Sequence, residues 1–148
     1  MRVIYFDTSA LVKRYAQEKG TQAVTGLLST GELITTSILT YPEIKAAFAK
    51  KLRLREITKK SYRKSIENFE KDWGIPIYSV MGFTSEIAYL AGALIERSGL
   101  KAVDGVHLAS GIMAKEHFGL SFVFVSSDDQ LNKAAVAEGL DVINPENI

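Results

Sequence analysis

The residues with the clearest chemical potential are four carboxylates far apart in the chain: Asp7, Glu43, Asp104 and Asp128. Asp7 closes the apolar run 3–6, and Asp128 follows the run 122–125. Glu43 falls in the opening turn of one helical segment, and Asp104 stands at the mouth of another. Singly, each has a local use. The three aspartates suit helix capping, in which a carboxylate accepts hydrogen bonds from unpaired N–H groups. Glu43 in a first turn complements the helix dipole. Together they allow different chemistry. Carboxylates gathered in one place resist simultaneous ionisation unless a counter-charge joins them, and the natural partner of an all-oxygen set is a hard dication, Mg²⁺ or Mn²⁺. Such an ion activates water and neutralises a phosphate, so hydrolysis then needs no side-chain nucleophile. Spacing alone leaves open whether the four converge.

The remaining inventory narrows the chemistry. There is no cysteine, which excludes a thiol nucleophile and a thiolate metal site, and the two histidines, His107 and His117, are too few for a histidine-rich centre. His107 lies three residues after Asp104 and shares its helical face. A packing or hydrogen-bonding imidazole is the preferred reading over a proton donor to a leaving oxygen. His117, near a helix end, suits the C-terminal dipole. A phosphatase of the haloacid-dehalogenase type wants a second Asp two residues after the first, where this chain has Ser9. Lys13 and Arg14, one or two turns past Asp7, are placed either to meet phosphates or to face solvent.

These residues need a scaffold of alternating strands and helices. The apolar runs 3–6 and 122–125 and the short segments 33–37 and 75–80 read as strands, with 142–143 as an edge strand. Helical patterns cover 9–19, 21–28, a segment from Pro42 onward, 58–73, 84–97, 104–118 and 128–139, with Gly74-Ile75-Pro76 as a break. Strand and helix in alternation imply an α/β fold: a three-layer α/β/α sandwich around a mostly parallel sheet. In such sheets the working crevice lies beyond the carboxyl ends of the strands, which is where these acids fall.

At 148 residues the chain has the size of one domain, 1–148, with 47% hydrophobic and 24% charged residues. No run approaches a membrane span and no signal-peptide pattern opens the chain, so no membrane role is expected, and a reducing cytoplasm fits the lack of cysteine. Net charge is only +1, but nine of the 18 basic residues fall between Lys45 and Lys64, against the single acid Glu56. That segment is either a solvated helical surface or a positive flank guiding a phosphate backbone. Tyr62, among these bases, is the one aromatic kept for base stacking; the others read as core. Asp129 reads as a surface position.

Four segments carry a family resemblance. Asp7-Thr8-Ser9-Ala10-Leu11-Val12-Lys13 resembles the opening motif of PIN domains, and Tyr41-Pro42-Glu43-Ile44 the second. Asp104-Gly105-Val106-His107-Leu108-Ala109 is similar to the third, with Gly105 in place of a more frequent Ala, and Phe124-Val125-Ser126-Ser127-Asp128 to the fourth. They occur in family order over nearly the whole chain. Size and organisation resemble the toxin branch, the VapC-like ribonucleases of toxin–antitoxin pairs. The resemblance implies a Mg²⁺-dependent endoribonuclease acting on RNA, usually a homodimer, held inactive by a cognate antitoxin. Asp7, Glu43, Asp104 and Asp128 would be its acidic, metal-holding cluster, with Asp7 and Asp104 nearest the ion and Ser9 and Ser126 as supporting hydroxyls. Two other readings share the fold: an RNA-processing nuclease without an antitoxin, and a non-catalytic RNA-binding module. Four carboxylates count against the second, because they would repel phosphates.

Overall fold

Alternation along the first strand sets the layers. In β1 (Arg2–Phe6), Val3 and Tyr5 face one side of the sheet and Ile4 and Phe6 the other, and all four are fully buried, so both faces need a cover. The computed structural model describes residues 1–75, 77–119 and 121–148. The other strands are β2 (Leu33–Ser37), β3 (Ser79–Met81), β4 (Ser121–Val125) and β5 (Val142–Ile143). All pair in parallel, in the order β3-β2-β1-β4-β5, with Ile4 beside Ile34 and Tyr5 beside Phe124.

Among the described residues the helices are α1 (Thr8–Leu11), α2 (Thr21–Leu28), α3 (Thr40–Arg53), α4 (Lys59–Gly74), α5 (Ser85–Ser98), α6 (Ala102–Phe118) and α7 (Asp129–Ala137). Leu11, Val24, Ile44, Phe48 and Phe69 carry α1 to α4 onto the face of Ile4, Phe6, Val123 and Val125. Ile87, Leu94, Leu108, Ala109 and Leu131 carry α5 to α7 onto the face of Val3, Tyr5, Phe122 and Phe124. This is the expected three-layer sandwich. The chain runs from β1 outward to β2 and β3, then returns to place β4 on the other side of β1. The strand order therefore reverses between β1 and β4, and the crevice of an open α/β sheet forms at such a switch point.

Local departures have tertiary causes. The helix expected over 9–19 stops early: α1 tightens into a 3₁₀ turn at Val12–Arg14. Lys13 is drawn inward, only 4% exposed, between Glu18 and Glu146 at 2.9 and 3.0 Å, while Arg14 pairs with Asp72 at 2.7 Å. Both side chains are thus committed to carboxylates, and Lys13 does not belong to a solvated helical face. The strand expected over 75–80 forms at Ser79–Met81, in register with Thr35 to Ser37 of β2, and Pro76 of the expected break lies outside the described residues. Tyr62 packs half-buried against the core, not as an open stacking platform. His117 lies exposed in the last turn of α6, as a dipole partner should. Among the described residues no helix is long and apolar enough to cross a membrane.

Candidate metal centre

The two central strands bring the first and fourth motifs together. Asp7 follows β1 and Ser126 follows β4, and the Asp7 amide donates to the Val125 carbonyl at 3.1 Å. Both serine hydroxyls donate to the Asp7 carboxylate: Ser9 at 2.8 and 2.9 Å, Ser126 at 2.7 Å. The same oxygens accept from the next loop, Ser127 N–H to Ser9 at 3.0 Å and Asp128 N–H to Ser126 at 3.1 Å. Asp7 also caps α1 through the Ala10 amide, and Asp128 caps α7 through the Leu131 amide at 2.8 Å. Capping and cleft placement are thus compatible for both.

Glu43 is in the first turn of α3, where Thr8 donates to its Oε1 at 2.6 Å and His107 Nε2 stands 2.7 Å from the same atom. Asp104 does not open its helix. α6 begins at Ala102 with Lys101 as N-cap, and Asp104 occupies its first turn. Gly105, next to it, is explained by Ile95 of α5, whose Cγ1 would lie 2.6 Å from an added Cβ.

All four acids line one cleft of about 380 Å³, together with Thr8, Ser9, Ala46, Ala47, Lys50 and His107. Burial pushes the Asp104 carboxyl above its ordinary pKa, and the nearby charges of Asp128 and Glu43 push it further, against relief from His107 and Lys101. Burial also raises Asp7, despite His107 and the donors from Ser126, Ser9 and Ala10. Glu43 moves the other way: burial would raise it, but the hydrogen bonds from His107 and Thr8 hold it below the usual carboxylate range. Among the described residues no three such groups stand close enough to grip one ion directly. The donor set still fits Mg²⁺, which keeps several waters and takes only one or two carboxylates directly.

A sequence profile describing the PIN domain matches residues 4–137, from within β1 to the end of α7. The chain belongs to the PIN domain family. Ribonuclease VapC45 of Mycobacterium tuberculosis is 29% identical over 142 residues, covering 96% of this PIN domain and 95% of the relative. Solved structures that share the fold include two bound to DNA. One is FitAB bound to an IR36 DNA fragment, with TM-score 0.70, 19% identity and coverage of 98% and 96%. The other is VapBC2 from Rickettsia felis bound to a DNA fragment from its promoter, with TM-score 0.63, 15% identity and coverage of 96% and 98%.

Two features of this PIN domain were missed by sequence reasoning, and a third, the basic segment, was left broader than the structure has it. Thr8 lines the cleft and bonds Glu43, although only Ser9 and Ser126 were singled out; its place beside Asp7 was the available signal. Tyr5, read as core, is core in its ring but puts its hydroxyl 2.8 Å from His107. A tyrosine in a buried strand must find a partner for that oxygen. Of the nine bases between Lys45 and Lys64, Lys50 is the one that lines the cleft, while Lys45 pairs with Glu70 at 2.6 Å and Lys51 lies toward Glu18 and Glu56. Asp129 is exposed and does not line the cleft.

Proposed function

We propose that this PIN domain is a Mg²⁺-dependent endoribonuclease, with Mn²⁺ as a substitute, and the toxin of a toxin–antitoxin pair. The carrying observation is that Asp7, Glu43, Asp104 and Asp128, from four separate segments, line one cleft at the sheet's switch point. Asp7 and Asp104 would hold the cation, directly or through water, with Glu43 and Asp128 completing the wall. The bound ion would supply a water of lowered pKa and neutralise charge on the scissile phosphate. Ser9 and Ser126 fix the Asp7 carboxylate, which leaves it little freedom to turn away from the cleft. Lys50, two turns along α3 from Glu43 and separated from it by the small Ala46 and Ala47, would take an RNA phosphate at the cleft's margin. The likeness to VapC45 supports the ribonuclease reading. A cognate antitoxin belongs to the same proposal, with the VapBC2 complex as the structural parallel, and so does a homodimer.

The test is incubation of purified protein with single-stranded and structured RNA in Mg²⁺, Mn²⁺ or EDTA. Cleavage in either metal and none in EDTA is expected. Tight RNA binding without cleavage in any condition would instead assign a binding module, and cleavage in EDTA would remove the metal from the proposal. Lys50→Glu should weaken RNA binding and flatten the slope of log affinity against log salt by about 0.7 for single-stranded RNA, one phosphate contact. Lys51→Glu should leave that slope nearly unchanged. Equal effects of the two would mean a diffuse basic surface and no specific cleft contact.

A further inference from the structure

His107 is the one buried ionisable side chain of the cleft outside the acidic set. It lies one turn after Asp104 on α6, is 1% exposed, and has both ring nitrogens engaged. Nδ1 is 2.8 Å from the Tyr5 hydroxyl and Nε2 is 2.7 Å from Glu43 Oε1. The Thr8 hydroxyl donates to that same Oε1 at 2.6 Å. Two donors therefore converge on one oxygen of Glu43, and among the described residues none reaches Oε2.

A carboxylate oxygen only accepts, so the ring nitrogen that faces Glu43 Oε1 carries a hydrogen and donates to it. The Tyr5 hydroxyl, in the buried strand on the opposite side of the ring, holds Nδ1.

We infer that Tyr5 and His107 form a positioning relay for Glu43: Tyr5 anchors the ring at Nδ1, His107 with Thr8 occupies Oε1, and Oε2 is left free to face a cation or its waters. This rests on reading Glu43 as part of the cation-holding wall. His107 is thereby a positioning residue that acts through Glu43. Orientation of ligands by such outer partners is commonly worth about 10–100-fold in metal affinity or activity. The ring also stacks edge-on to Tyr5, with centroids 6.1 Å apart, so relay and packing involve the same pair and need separate readouts.

Nitrogen NMR on histidine-labelled full-length protein at neutral pH reads the state of each ring nitrogen without any metal. In the wild type His107 Nε2 is expected to carry a hydrogen, and Nδ1 to show a hydrogen bond that Tyr5→Phe removes. An unprotonated Nε2, or an Nδ1 signal indifferent to Tyr5→Phe, overturns the relay. Mn²⁺ titration calorimetry supplies the second arm. His107→Leu should weaken binding by about 10–100-fold, and His107→Gln, which keeps an amide N–H near the Nε2 position, should recover most of the loss. In a Glu43→Gln background, His107→Leu should cost almost nothing more. A residue that only packs would cost the same in both backgrounds, and that result overturns the relay. If His107→Leu does not fold, the wild-type nitrogen signals and the Gln variant still decide. A wild type with a protonated Nε2 but no Mn²⁺ binding would sink the cation reading of the cleft while leaving the hydrogen-bond relay in place, so the two failures are distinguishable.

Discussion

Asp104→Asn is expected to lower cation-dependent RNA cleavage by about 10²–10³-fold, the usual loss when one preorganised electrostatic group is removed from an active site, while raising the melting temperature of the cation-free protein at neutral pH. Both effects come from one cause. Burial, then Asp128 and Glu43, raise the Asp104 carboxyl above its ordinary pKa. A carboxyl raised in the folded state keeps a proton that the unfolded chain has already released. Stability therefore falls as pH climbs from the unfolded value through the folded one, and the full cost persists above that. Asparagine has no charge to repel. Asp7 is shifted in the same direction, whereas Glu43, held low by His107 and Thr8 against its burial, contributes stability that is lost as pH falls through its folded value. Calorimetric melts in EDTA from mildly acid to neutral pH should show the wild type declining more steeply than the variant. Adding Mg²⁺ should lift the wild type and leave the variant nearly unmoved. A variant that melts below the wild type at every pH would show that Asp104 is not under repulsion.

Gly111→Ala should destabilise the protein by about 1–3 kcal/mol, the common cost of forcing a methyl into a packed core. At Gly111, α6 crosses β4 so closely that a Cβ would lie 2.8 Å from Phe124 Cδ2 and 2.9 Å from Cε2. Phe124 is fully buried and stacks on Tyr5, with rings 5.2 Å apart and nearly parallel, so it cannot retreat without moving the residue that holds His107. The drop should appear in thermal and urea melts alike. Adding Phe124→Leu should cost less in the Gly111→Ala background than alone, because the smaller side chain leaves room for the new methyl. A neutral Gly111→Ala would mean that α6 is free to slide over the sheet. Gly105→Ala should be milder: its obstacle is the side chain of Ile95, which is only half-buried and can rotate.

The layers of this fold were legible because they are written in local pattern. Apolar runs marked β1 and β4 and a β-branched run marked β2, and the positions of Asp7 and Asp128 just beyond two of them placed both acids on the carboxyl edge of the sheet. What lay hidden depends on contacts across the chain. Where α1 tightens and ends, Lys13 meets Glu146, 133 residues away, a contact that no window around residue 13 contains. The Tyr5–His107 bond joins residues 102 apart, one read as core and the other as a packing imidazole. Charge clustering flagged the segment from Lys45 to Lys64, but only the rotation of α3 on the sheet selects Lys50 for the cleft. Capping and cleft placement, set against each other for Asp7 and Asp128, turned out to be one arrangement: the helix N–H groups hold carboxylates that also line the cleft.

The shared cation is tested most directly by calorimetric titration of Mn²⁺ into the wild type and into Asp7→Asn, Glu43→Gln, Asp104→Asn and Asp128→Asn, each first shown to be folded. Saturable binding in the wild type, weakened by every one of the four substitutions, is the expected result. No saturable binding, or binding indifferent to all four, would contradict it.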